Sequence, residues 1–128
     1  MSWYLDSSAI LKLVFKEPLS KALRSALSSA PISSTLARIE VMRVVQRTNP
    51  KDLVTARNAF AKLTFIPINE SVIRIAENFP DAPTLRSLDA IHIASALLVQ
   101  SSIEGLITYD TNMAITAQEF GLKVLSPH

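Results

Sequence analysis

Short apolar runs alternate with longer amphipathic segments along the chain, and this alternation restricts the possible folds more than any other feature of the sequence. The apolar runs cover residues 3–5, 31–33, 65–68, 106–108 and 122–125. Because strand and helix patterns follow one another in turn, the strands are expected to pair in parallel, with helices on both faces. The sequence therefore predicts an α/β fold, a three-layer sandwich with a central parallel sheet of about five short strands flanked by helices.

Cap and turn residues mark the ends of several predicted helices. Asn49, which precedes a proline, predicts the N-cap of a helix that runs to about Lys62, and Asn69 predicts the N-cap of the next helix. Residues 111–119 form a helical pattern, and Gly121 fits the left-handed position just past its end.

Length and composition indicate one domain, residues 1–128, with a sizeable core. The hydrophobic content of 48% and the mean hydropathy of +0.27 favour a compact globule over a disordered chain. The richest apolar stretch, AIHIASALLV, is too short to span a bilayer, and no secretory signal precedes the first apolar run. The absence of cysteine excludes disulfides and thiolate metal sites. We therefore expect a cytoplasmic protein without a membrane segment.

The sequence also disfavours two classes of enzyme. With only two glycines, it has no glycine-rich loop to hold a phosphate or a dinucleotide. No Ser–His–acid or Cys–His set can be assembled with confidence. Redox chemistry on a nucleotide cofactor and hydrolysis through an acyl-enzyme are therefore disfavoured.

Charge is unevenly distributed along the chain. Residues 1–64 contain ten Lys and Arg against four Asp and Glu, whereas residues 65–128 contain three against seven. This asymmetry suggests a basic surface beside an acidic site.

Two acidic residues follow predicted strands directly. Asp6 ends the first strand in the stretch YLDSSA, and Asp110 ends the fourth in ITYD. Ligands of open parallel sheets collect at the carboxyl ends of the strands, so both carboxylates occupy positions that suit a site.

Two further acidic residues interrupt apolar helix patterns. Glu40 breaks a largely apolar stripe, and Asp89 lies in a segment that is apolar nearly all round. A carboxylate that is desolvated without a partner costs several kcal/mol, so each of these residues requires compensation.

Each acid also has a structural interpretation. The two acids after strands could be helix N-caps, Glu40 could pair with Arg38 or Arg43, and Asp89 could face a helix dipole with Ser87 as the cap. If all four acids converge instead, the all-oxygen donor set points to Mg²⁺ or Mn²⁺. Such a site would supply the needs of phosphodiester hydrolysis without a protein nucleophile.

An ordered set of motifs resembles the PIN-domain ribonucleases and, more narrowly, the VapC toxins of bacterial toxin–antitoxin pairs. The motifs are Asp-x-Ser at residues 6–8, Ser-Ser-x-x-Ala-Arg before Glu40, Leu-Asp-Ala-Ile-His-Ile-Ala at residues 88–94, and Thr-x-Asp at residues 108–110 with Gly-Leu-x-Val-x-Ser-Pro at residues 121–127. The resemblance extends from Tyr4 to Pro127. It implies a single PIN-like domain in which the first and fourth strands are neighbours.

The resemblance also assigns roles to individual residues. It makes four acids the catalytic and metal-binding residues: Asp6, Glu40, Asp89 and Asp110. It further implies that the hydroxyls of Ser8 and Thr108 support the site from behind. Some relatives carry a further acid shortly after the position of Asp110, where this chain has Asn112 and Met113, which leaves the coordination of a second metal ion open. On this interpretation Asp6 is a metal ligand and Ser7 or Ser8 caps the following helix.

Basic residues near the predicted acids could hold phosphates of RNA. The candidates are Lys12, Lys16, Arg38 and Arg86. A solvated face or an ion pair is an equally good interpretation for each of them. His92, one turn after Asp89, is expected to be a packed, hydrogen-bonded core residue rather than a ligand.

The resemblance implies a Mg²⁺-dependent endoribonuclease, with Mn²⁺ as a possible substitute, that acts as the toxin of a toxin–antitoxin pair. The expected partners are RNA as substrate, a cognate antitoxin protein and a second copy in a homodimer. Two other functions stay open: a nuclease of the same fold that processes RNA or DNA without a toxin role, and a catalytically silent binding module.

Overall fold

A computed structural model of the chain describes residues 1–82 and 85–128. Its strands are β1 (Ser2–Leu5), β2 (Ile32–Ser34), β3 (Thr64–Ile66), β4 (Ile103–Ile107) and β5 (Val124–Leu125). Its helices are α1 (Ser7–Val14), α2 (Ser20–Ala26), α3 (Thr35–Thr48), α4 (Leu53–Phe60), α5 (Glu70–Glu77), α6 (Ser87–Leu98) and α7 (Thr111–Glu119). Short 3₁₀ turns cover Pro50–Asp52 and Gln100–Ser102.

The five strands form one parallel sheet in the order β3-β2-β1-β4-β5. The predicted fold class is therefore confirmed, and the first and fourth strands are neighbours, with Leu5 opposite Ile107. Strand order reverses at this central pair. The loops that leave β1 and β4 consequently open at the same end of the sheet, where ligands collect in folds of this kind.

Side chains alternate between the two faces of β1 and separate the core into two layers. Trp3 and Leu5 pack against helices α1 to α4, whereas Tyr4 packs against helices α5 to α7. Burial of apolar side chains on both faces explains why the short strands have apolar runs rather than a strict alternation of polar and apolar residues. Within the described residues, no helix combines the length and the apolar character needed to cross a membrane.

The structure can be compared with the helix caps and the helix end that the sequence predicts. The side chain of Asn69 accepts a hydrogen bond from the backbone N–H of Val72 at 3.0 Å, as an N-cap should, and Gly121 has a φ of 85°. Asn49 does lie at the N-cap position of the turn Pro50–Asp52, which leads directly into α4, so the predicted start is confirmed. Its side chain makes no capping hydrogen bond, however, and instead donates to Asp52 at 2.9 Å. The helix that follows, α4, ends at Phe60, whereas the sequence predicts an end near Lys62.

Candidate active site

Asp6 lies at the end of β1, with only 3% of its surface exposed. Its Oδ1 accepts hydrogen bonds from the Ser8 hydroxyl at 2.6 Å and from the Ala9 backbone at 3.0 Å, and its Oδ2 accepts from the hydroxyl of Thr108. Burial raises the pKa of Asp6, although these hydrogen bonds act in the opposite direction. The structure thus places both predicted hydroxyls directly on this carboxylate.

The capping prediction at this helix is wrong. Asp6 itself is the N-cap of α1, because its backbone is extended and its side chain accepts from Ala9, while Ser7 is already the first helical residue. Ser8 uses its hydroxyl to connect the two central strand ends, since it donates to Asp6 and accepts from the backbone N–H of Tyr109 at 2.9 Å. One carboxylate therefore caps a helix and also lies where the acids converge.

Glu40 projects from α3 and is held by two side chains from other elements. Its Oε1 accepts a hydrogen bond from the Ser7 hydroxyl and lies 2.7 Å from Nε2 of His92. Burial opposes the charged form of Glu40, but the hydrogen bonds from His92 and Ser7 outweigh it and lower the pKa of Glu40. The alternative pairing with Arg38 or Arg43 is wrong, because the side chains that contact the carboxylate of Glu40 are those of Ser7 and His92.

Three of the four acids share one open pocket of ≈ 450 Å³ at the carboxyl end of the sheet. Glu40 comes from α3, Asp89 from the first turn of α6, and Asp110 from the loop after β4. Arg86 and Asn112 also line this pocket. The fourth acid, Asp6, is buried and does not line this pocket.

The charges of the other three acids act on Asp89. Burial raises the pKa of Asp89, and the nearby carboxylate of Asp110 adds to the effect, followed by smaller contributions from Glu40 and Asp6. Carboxylates that repel each other in this way are stabilised by a shared cation. Asp89 therefore lies within reach of the charges of the other three acids.

Two of these acids have capping or dipole roles as well. Asp110 is the N-cap of α7 and accepts from the backbone N–H of Met113 at 3.1 Å. Asp89 does face the N-terminal end of α6, but Ser87 is not its cap, because the helix begins at Ser87 and Arg86 precedes it without a capping hydrogen bond. Helix ends thus help to position these carboxylates, since the positive end of the helix dipole favours negative charge.

The four candidate RNA-binding residues have different surroundings. Arg86 is exposed in the acidic pocket, whereas Arg38 lies over the ring of Phe65 in a separate pocket. Lys12 pairs with Glu17 and lies 5.4 Å from the ring centre of Tyr109, and Lys16 is exposed. Of the four, only Arg86 lines the acidic pocket.

The donor set of this pocket fits a hard divalent cation. Carboxylate and amide oxygens are the ligands that Mg²⁺ and Mn²⁺ prefer, and Glu40, Asp89, Asp110 and Asn112 supply them. In the described part of the chain, no group of three or more Asp, Glu or His side chains forms a ready-made metal cage. The acids would have to close around an ion, or coordinate it partly through water as Mg²⁺ sites do.

Two residues of this site were missed at the level of sequence. The sequence predicts a helix cap at Ser7 or Ser8 and core packing for His92, yet Ser7 and His92 both hold the carboxylate of Glu40. His92 is indeed buried and hydrogen-bonded, with 2% exposure, as expected. The only available signal was its spacing of three residues from Asp89, which places both side chains on one side of α6.

Comparisons with known proteins agree with this fold. The family model described as PIN domain matches residues 3–119, so the chain belongs to the PIN-domain family. Among curated proteins it is similar to Ribonuclease VapC47 of Mycobacterium tuberculosis (strain CDC 1551 / Oshkosh), with 38% identity over 131 residues that cover 97% of this chain and 96% of the relative. It is also similar to Ribonuclease VapC46 of Mycobacterium tuberculosis (strain ATCC 25618 / H37Rv), with 39% identity over 126 residues and the same coverage of both chains.

A solved structure supports the fold independently. A chain of a toxin–antitoxin complex from Klebsiella pneumoniae superposes with a TM-score of 0.77 and 22% identity, and the match covers 99% of this chain and 98% of that one. The prediction of a PIN-type fold related to the VapC ribonucleases is therefore confirmed.

Proposed function

We propose that this chain is a metal-dependent endoribonuclease that acts as the toxin of a toxin–antitoxin pair. The observation that carries the proposal is the convergence of Glu40, Asp89 and Asp110 in one pocket, together with the buried Asp6, whose charge reaches Asp89. Near-full-length relatives named as ribonucleases support the reaction class. Mg²⁺ is the expected ion, with Mn²⁺ as a possible substitute, because the donors are oxygen atoms.

In this proposal the four acids bind the ion, and the chain's other residues hold the acids in place. A bound divalent cation supplies an activated water and neutralises charge on a phosphoryl group. Ser8 and Thr108 keep the carboxylate of Asp6 oriented through their hydroxyls. Arg86, exposed at the pocket, is suited to hold a phosphate of the RNA beside the acids.

Removal of divalent cations is expected to abolish cleavage of RNA by the purified protein. Loss of groups that only support a metal site already costs about 10–100-fold in activity, so loss of the ion should cost more than about 100-fold. The measurement is cleavage of labelled RNA with Mg²⁺, with Mn²⁺, and with excess EDTA. The Asp89→Asn protein, purified in parallel, controls for contaminating nuclease. Undiminished cleavage in EDTA by wild type, with an inactive control, would show that the reaction does not need a metal ion.

The proposed partners are a cognate antitoxin and a second copy of this chain, acting in the cytoplasm. Support comes from the VapC relatives and from a shared fold with a chain of a toxin–antitoxin complex. We expect induction of the chain alone to arrest growth and co-expression of a cognate antitoxin to restore it. Growth arrest that is absent despite RNA cleavage in vitro would favour a processing nuclease over a toxin.

Light scattering at micromolar concentration should give a dimer mass, and a strictly monomeric species would contradict the homodimer.

A further inference from the structure

The hydrogen bonds of Glu40 continue into the core through a buried chain of side chains. The hydroxyl of Tyr4 lies 2.7 Å from Nδ1 of His92, whose Nε2 lies 2.7 Å from Oε1 of Glu40. Tyr4 has no exposed surface and His92 has 2%. The two rings also meet edge to face, with centroids 5.9 Å apart and planes at 76°. The imidazole is therefore fixed by packing as well as by hydrogen bonds.

The direction of these hydrogen bonds follows from the chemistry of the partners. An ionised carboxylate can only accept, so the contact with Oε1 of Glu40 requires a proton on Nε2 of His92. Tyr4 carries a phenolic O–H that can donate to the other ring nitrogen, Nδ1. The tyrosine thereby selects the tautomer that donates to Glu40.

The same contacts leave one oxygen of Glu40 free. Ser7 and His92 both bond to Oε1, whereas Oε2 makes no hydrogen bond within the described residues. Glu40 also lines the pocket that holds Asp89 and Asp110. Oε1 is thus the held atom, and Oε2 is the atom available to an ion.

The geometry points to His92 as a positioning residue that, oriented by Tyr4, holds Glu40 with one oxygen presented to the divalent cation. This inference rests on the proposed function. His92 does not itself touch the ion or the RNA. Its role is to reduce the number of conformations that the Glu40 side chain must lose when the ion binds, as supporting residues do in other metal sites.

Metal affinity is the direct test. We expect His92→Leu to lower the affinity for Mn²⁺ by about 10–100-fold, measured by calorimetric titration of the whole chain with Mn²⁺ alone. His92→Gln should recover most of the affinity, because its amide N–H reaches about as far as Nε2 does. Tyr4→Phe should cause a smaller loss in the same direction, since the ring stays but its tautomer is no longer selected.

RNA cleavage provides a second measurement. At saturating Mg²⁺ the affinity loss should be masked, whereas at limiting Mg²⁺ kcat should fall in His92→Leu with little change in KM for RNA. Ser20→Ala is the matched control, because Ser20 is also a buried polar residue, with 3% exposure, but it bonds to Phe15 and Glu17 away from the acids. It should lower the melting temperature without a change in Mn²⁺ affinity.

The results of these titrations distinguish a failure of the positioning role of His92 from a failure of the proposed metal site. Folded His92→Leu with the Mn²⁺ affinity of wild type would overturn the role of His92 while leaving the metal site intact. If wild type binds no Mn²⁺, the proposed function fails and the positioning role fails with it. Should His92→Leu not fold, Tyr4→Phe is compared with His92→Gln and with wild type. A Mn²⁺ affinity of Tyr4→Phe equal to that of wild type would then overturn the inference that Tyr4 orients His92 to hold Glu40.

Discussion

Asp89→Asn is expected to reduce RNA cleavage by more than about 100-fold while the protein stays folded. Asn has nearly the same shape as Asp, but it lacks the charge that holds a cation. Burial and the carboxylate of Asp110 both disfavour the charged form of Asp89, which is why its pKa is raised. Removal of that charge should therefore raise the melting temperature of the metal-free protein.

The control for this experiment is Glu119→Gln, which removes one negative charge from an exposed position at the end of α7. It should leave cleavage unchanged. A structural acid would behave in the opposite way to Asp89, because loss of one member of a buried pair costs about 3–5 kcal/mol. If Asp89→Asn melts well below metal-free wild type, the carboxylate stabilises the fold and is not a metal ligand.

Asp110 requires a more selective pair of substitutions because it also caps α7 through Met113. Asp110→Asn keeps an oxygen that can accept from the helix N-terminus, since Asn and Asp are comparable N-caps. Asp110→Ala should cost about 1 kcal/mol more in stability through loss of the cap. Both variants should lose cleavage to a similar extent, and this result would separate the chemical role from the capping role.

Much of the fold could be predicted because its signals are local. Apolar runs, an N-cap such as Asn69 and a helix end at Gly121 depend on a few neighbouring residues. The parallel sheet then follows from the alternation of strands and helices. Errors arose where one residue had two possible roles. Asp6 is both the N-cap of α1 and a buried residue of the site, whereas the sequence assigns the cap to Ser7 or Ser8.

The candidate site was predictable in part for a related reason. A carboxylate in an apolar setting is conspicuous in a sequence, so Glu40 and Asp89 could be selected without a structure. The residues that contact these carboxylates could not be selected in this way. Glu40 and His92 are 52 residues apart, and nothing near either residue specifies the contact. A buried histidine looks the same in the sequence whether it packs in a core or orients a carboxylate.

The stability of the metal-free protein is expected to fall as the pH rises above about 3.9, the ordinary pKa of an aspartate. The pKa values of Asp6 and Asp89 are raised in the folded state, chiefly by burial. The unfolded chain therefore releases these protons at lower pH, from about 3.9 upward, and the folded state loses stability until the pH has passed the folded pKa values. Glu40 has a lowered pKa, so its favourable contribution is complete above about pH 4.3 and is lost only as the pH falls further.

Mg²⁺ should reverse the loss at neutral pH, because it binds the folded site and not the unfolded chain. A concentration of 100 times the dissociation constant would add about 2.7 kcal/mol. The measurement is urea unfolding of wild type and Asp89→Asn at pH 5 and pH 8, with and without Mg²⁺. Asp89→Asn should show a weaker dependence on pH and little gain from the ion, since it lacks both the repelled charge and the ligand. Stability that rises from pH 5 to pH 8 without metal, or an equal Mg²⁺ gain in both proteins, would contradict a metal site built on these carboxylates.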